Sequence, residues 1–152
     1  MKRGLLKYWI DRVRKYYQLT GIERVFLVRA WIQLILTDYY LRTRPFDRIL
    51  DDYQRNPEKR PASPVGGKSI SFSRSAWLVD VAGRYSPVRA TCLKQALVLY
   101  RFLNRSGTES ILRIGVRHGD GYFQAHAWLE KDGETVFSPP VGEEYKPLTM
   151  VR

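Results

Sequence analysis

One cysteine and two histidines in 152 residues close off several kinds of chemistry. A lone Cys92 cannot form an intramolecular disulfide, and the chain has too few Cys and His for a zinc site of the usual spacing. No metal or organic cofactor is expected. Long apolar runs are also missing. The most apolar window, 25–41, is interrupted by Arg29 and Asp38 and does not read as a membrane span. The start, Met1-Lys2-Arg3-Gly4, runs through Leu5-Leu6 into Lys7, Asp11 and Arg12, which is not the form of a secretory signal. The expectation is a soluble, cytoplasmic protein without stable membrane insertion.

Acid is scarce relative to base: 15 Asp and Glu stand against 26 Lys and Arg, a formal net charge of +11. Such a surface favours acidic partners or is simply well solvated. No helix-turn-helix, RNP-like strand or zinc knuckle accompanies it, so nucleic acid is not expected as a partner. Hydrophobic residues at 44% and aromatics at 13% are enough for a packed core.

The apolar pattern divides the chain. Leu5, Leu6, Trp9, Ile10, Val13 and Tyr17 recur at three- and four-residue spacing, which predicts a first helix. Thr20-Gly21-Ile22-Glu23 has the form of a capping box, and a second helix is expected from there to about 41. Pro45 stops it, and 46–53 reads as a short helix. The run 54–68, rich in Pro, Gly and charge, reads as a linker. Helices at about 73–85 and from 90 or 91 to 104 follow, with Gly107 at the second exit. The period then changes. Residues 110–117 form a strand, His118-Gly119-Asp120-Gly121 a turn, 122–130 a strand, Lys131-Asp132-Gly133 a hairpin turn and 134–137 the return strand. The expected fold is therefore α+β, with a helical N-terminal region, 1–68, and a second region, 69–152, of helix followed by a small antiparallel sheet.

Cys92 falls at the start of a helix, where free N–H groups and the positive end of the helix dipole favour a thiolate and can receive an oxyanion. Arg89 adds positive charge. The same residue also fits the inner face of that helix as a small core side chain, beside Leu93 and Ala96. His126 lies mid-strand between Ala125 and Ala127, with Trp128 on the same face. It reads either as a general base with room for a partner or as a structural histidine. His118, in a Gly-rich turn, is expected to be exposed and without function. A thiol–imidazole pair normally needs a third group to orient the ring. A three-residue hairpin loop would set Glu130 opposite Glu134 and His126 opposite Ser138; a loop one residue shorter or longer would shift that partner by one, to Pro139 or its neighbourhood. Ser138 can accept a hydrogen bond but carries no charge. Other acids in reach of such a site are Glu130, Asp132, Glu143 and Glu144.

Taken together, Thr91-Cys92-Leu93-Lys94-Gln95-Ala96-Leu97, Leu103-Asn104-Arg105-Ser106-Gly107, Arg113-Ile114-Gly115-Val116-Arg117 and Phe123-Gln124-Ala125-His126-Ala127-Trp128-Leu129-Glu130-Lys131-Asp132-Gly133 resemble the transglutaminase-like domain of lasso-peptide maturation peptidases. The resemblance covers roughly 74–148. It implies a papain-like Cys-His-Asp constellation that cuts the leader from a ribosomally made precursor peptide. Cys92 matches the nucleophile, His126 the base, and the family's acid falls at or beside Ser138. The implied partners are the precursor's leader region, a separate leader-recognition protein and a macrolactam synthetase that closes the ring. Two other outcomes are compatible with the same residues: transamidation by the Cys–His pair, or a catalytically weak scaffold that holds the precursor.

Overall fold

The computed structural model describes residues 18–54, 70–119, 122–137 and 145–151. Four helices and a four-stranded sheet account for most of them. The helices are α1 (Gly21–Thr43), α2 (Phe46–Gln54), α3 (Phe72–Arg84) and α4 (Cys92–Arg105). The strands are β1 (Ile111–Gly119), β2 (Tyr122–Lys131), β3 (Glu134–Phe137) and β4 (Lys146–Val151), arranged antiparallel in the order β3-β2-β1-β4. The fold is α+β, as the change of period along the sequence implies. The expected helix over 5–17, the linker at 54–68 apart from Gln54, and Ser138, Glu143 and Glu144 lie outside the described residues.

Helix boundaries follow their caps. The Thr20 hydroxyl accepts from the Glu23 N–H at 3.3 Å, and Glu23 Oε2 accepts from the Thr20 N–H at 2.8 Å, closing the capping box of α1. Ser71 caps α3 and Thr91 caps α4 in the same way, through the N–H groups of Arg74 and Lys94. α4 is the centre of the molecule. Ala96, Leu97, Val98, Leu99, Tyr100, Phe102 and Leu103 are all buried, so the helix is covered on every side rather than along one stripe. α1, α2 and α3 pack on it from one direction and β1 and β2 from the other. The expected helical and helix–sheet regions share one hydrophobic core. It runs from Phe26, Ala30 and Leu34 through Leu78 and Val79 to Leu112, Ala127, Leu129 and Phe137.

The polar residues on the inner side of α1 are satisfied. The Gln33 amide donates to Thr37 Oγ1 and to the Tyr53 hydroxyl, and Thr37 and Tyr53 share a 2.9 Å hydrogen bond, which ties α1 to α2.

The hairpin between β2 and β3 corrects the expected register. Asp132 and Gly133 both have positive φ, 52° and 82°, the conformation of a two-residue type I′ turn. Lys131 therefore pairs with Glu134 and Glu130 with Thr135, not with Glu134. A further shift sets Leu129 opposite Phe137, with Val136 as the extra residue. The three-residue loop that would face His126 with Ser138 is not formed. β4 is an element the sequence pattern hides: Pro147 lies within it, which is tolerated because β4 is an edge strand at a register shift.

Candidate active site

Cys92 is the first residue of α4, directly after the Thr91 cap, and is half-buried. The N–H groups of Cys92 and Leu93 precede the first intrahelical bond, from the Gln95 N–H to the Thr91 carbonyl at 3.1 Å. They point out of the helix end, where an anion is favoured.

A strap, 85–91, delivers the chain to this position and is held from several sides. The Trp31 indole donates to the Tyr85 carbonyl at 3.0 Å. Lys94 Nζ donates to the Arg89 carbonyl at 2.7 Å and reaches Asp38 Oδ1 at 2.5 Å. The Gln95 amide donates to the Ala90 carbonyl at 3.4 Å. Asp38 also receives Arg42 at 2.9 and 3.4 Å. The hydrogen bond from Lys94, followed by that from Arg42, holds the Asp38 carboxyl below the usual aspartate range. Gly83 closes the arrangement. A Cβ there would run into the Gln95 amide and lie 3.2 Å from Ala90 Cβ, so the bare backbone lets α3 approach the strap.

His126 lies in the middle of β2, which packs on α4. Its ring stacks on Trp128, with centroids 6.1 Å apart and planes inclined by 18°, and meets the Tyr145 ring at 5.4 Å. Tyr145 precedes β4 and reaches these rings across β1, at the level where β1 offers Gly115, the residue opposite His126. Arg117 lies 5.3 Å over the Tyr145 ring. Trp128 is fixed from its far end: its indole N–H donates to Glu130 Oε1 at 2.9 Å, while Glu130 Oε2 accepts from Arg113 Nε at 2.6 Å. Glu130, one of the acids considered for the third role, is thus already committed to Trp128 and Arg113. Asp132 is exposed at the hairpin tip.

Strand alternation sorts these side chains. Ala127 and Leu129 enter the core that contains α4, so His126, Trp128 and Glu130 share the opposite face with Arg113 and Arg117. Cys92 and His126 are carried on two elements that pack together, α4 and β2. A thiol–imidazole pair requires the half-buried first turn of α4 to meet the His126 face. Tyr145, Arg113, Arg117 and Asp38 were not singled out as site residues by the sequence pattern. The alternation that puts Trp128 beside His126 was a usable signal; the pairing of β1 with β4 was not.

A family model described as transglutaminase-like superfamily matches residues 33–150. The chain belongs to the transglutaminase-like superfamily. The match begins inside α1 and includes β1, β2, β3, all of β4 but its last residue, Cys92 and His126. No curated protein and no solved structure matches the chain. For a transglutaminase-like domain the fold is of the cysteine peptidase or transamidase type, which is acyl-transfer chemistry through a thiol. No helix among the described residues is long and apolar enough to cross a membrane.

Proposed function

We propose that this transglutaminase-like protein is a cysteine peptidase that removes the leader from a ribosomally made precursor during lasso-peptide maturation. The observation that carries the enzymatic part is the placement of Cys92: a half-buried thiol on the first residue of a capped, central helix, in a domain of this superfamily. The lasso-peptide part rests on the resemblance of the Cys92 and His126 blocks to maturation peptidases.

In this reading Cys92 Sγ attacks the carbonyl at the leader–core junction. His126 takes the thiol proton and returns it to the leaving amine; water then attacks the thioester and releases the other fragment. The Cys92 N–H stabilises the oxyanion. Ser138 or an acid outside the described residues orients the imidazole. The leader is brought by a separate recognition protein, and a macrolactam synthetase uses the freed core.

A second reading, a scaffold that binds precursor without cutting it, is favoured by one observation: His126 lies on the sheet face opposite Ala127 and Leu129 and is packed against aromatic rings. One experiment separates the readings. The protein is incubated with a precursor and its recognition protein, and products are read by mass. Hydrolysis gives two fragments whose summed mass exceeds the precursor by one water; transamidation gives a new adduct; a scaffold gives neither. Cys92→Ala and His126→Ala each abolish cleavage while leader binding persists, if the peptidase reading holds. Cleavage that survives Cys92→Ala overturns it.

A further inference from the structure

α4 begins with a charge of the wrong sign. Lys94 is the third residue of the helix, where the positive end of the helix dipole favours an acid. A glutamate at that position ordinarily reaches back to the N–H of the capping residue, as Glu23 does for Thr20 in α1. In α4 the N–H of Thr91 donates instead to the Arg89 carbonyl at 3.2 Å. The Lys94 ammonium joins it on the same oxygen and is held there by Asp38. Both side chains are nearly enclosed, at 12% and 10% exposure. A cation enclosed at the positive end of a helix costs stability, and Asp38 offsets that cost from a different helix. Such a breach of a local rule points to a task at the helix start.

The strap carbonyls define that task. An α-helix begun one turn earlier would pair the Leu93 N–H with the Arg89 carbonyl and the Lys94 N–H with the Ala90 carbonyl. A tighter turn would pair Cys92 with Arg89 and Leu93 with Ala90. Both carbonyls are taken by side chains of α4 itself: Arg89 by Lys94, and Ala90 by the Gln95 amide at 3.4 Å. The Thr91 carbonyl takes the Gln95 N–H, and the Lys94 N–H turns to Thr91 Oγ1 at 3.5 Å. The N–H groups of Cys92 and Leu93 are thereby kept from the acceptors that lie nearest in sequence.

We infer that Lys94 is a positioning residue for acyl transfer: steadied by Asp38, it holds the Arg89 carbonyl off the Cys92 and Leu93 N–H groups, which stay open to the oxyanion. The inference rests on the reading of Cys92 as the nucleophile.

Two reagents that use the same thiol test it. With p-nitrophenyl acetate, Cys92 Sγ attacks the acetyl carbonyl, a tetrahedral oxyanion forms, and p-nitrophenolate leaves as the thioester closes. Iodoacetamide alkylates the same sulfur by displacing iodide, with no oxyanion. A change in exposure or ionisation of the thiol, or in overall stability, moves both rates together; loss of the oxyanion donors moves only the first. Both rates are measured on the full chain, with Cys92→Ala as the background. Lys94→Met should lower the acylation rate about tenfold or more, while alkylation changes by less than about threefold. The double variant Asp38→Leu with Lys94→Met strands no charge; it should do the same, and it decides the matter if Lys94→Met alone unfolds. Equal factors in the two reactions, or no change in either, overturn the inference and leave the reading of Cys92 intact. Wild-type protein without Cys92-dependent acylation overturns both.

Discussion

Replacing Asp38 by alanine should do more damage than replacing Lys94 by methionine, although the two make one ion pair. The Asp38 and Lys94 side chains are only 10% and 12% exposed, whereas Arg42, the second cation on Asp38, is 73% exposed. Asp38→Ala leaves the Lys94 ammonium enclosed with the Arg89 carbonyl as its acceptor among the described residues. Losing a charged partner from a buried pair costs about 3–5 kcal/mol, and partial access to water puts this site near about 3 kcal/mol. Lys94→Met strands no buried charge, since Asp38 keeps Arg42; it removes the Lys94 hydrogen bonds to Asp38 and to the Arg89 carbonyl, a loss on the order of 1.5–3 kcal/mol. The double variant Asp38→Leu with Lys94→Met should cost less than the sum, because no charge is stranded. Urea unfolding of the four proteins measures all three values. The pH dependence has a definite sign. The folded-state Asp38 value is depressed below its ordinary 3.8 by Lys94 and then Arg42. Its contribution is therefore complete above that value and is lost as pH falls through the lower folded-state value. Asp38→Asn should flatten the loss of stability on acidification below about pH 4. Single variants that each shift stability by less than about 0.5 kcal/mol, the range of an exposed pair, would refute the claim that this contact anchors the entry to α4.

Other outcomes follow from the same contacts. Iodoacetamide should modify Cys92 in the folded protein and stop cleavage; labelling that requires denaturant would remove the nucleophile from the proposed mechanism. Glu23→Ala loses the α1 capping box and the 2.5 Å contact to Arg74, and should lower stability by about 1–2 kcal/mol in urea titrations. Glu130→Leu frees the Trp128 indole and removes the hydrogen bond from Arg113 Nε; cleavage should fall at least tenfold while Glu130→Gln keeps most of it, since the amide oxygen can still accept. Gly83→Leu should separate α3 from the strap and slow Cys92 alkylation, whereas Gly83→Ala, which displaces the Gln95 amide and presses on Ala90 Cβ by a few tenths of an ångström, should have a smaller effect in the same direction.

Much of the helical frame was legible because its signals are local. The Thr20–Glu23 box, the Pro45 break and the change of period after Gly107 each act within a few residues, and α1, α2 and α4 begin and end within two residues of where those signals put them. The hairpin was read correctly as a turn, but its length depends on the backbone of Asp132 and Gly133, which both enter the positive-φ region. That single difference moves every partner of β2 on the β3 side. β4 was missed because Pro147 reads as a strand breaker unless the strand is known to be an edge. The network around Cys92 was the least legible part. Asp38 and Lys94 are 56 positions apart and meet because two helices cross, which no local pattern records.

The central position of α4 has a consequence for how such a protein can diversify. A helix enclosed through its middle turns, from Ala96 to Tyr100, cannot be shifted or tilted to suit a new substrate without dismantling the interior, so its leading thiol is held nearly stationary in any variant that still folds. Adaptation must then come from what surrounds that fixed point: the strap 85–91, the Arg113–Trp128–Tyr145 face and the segments adjoining β3 and β4. Libraries aimed at altered cleavage should vary those positions and leave the interior of α4 untouched.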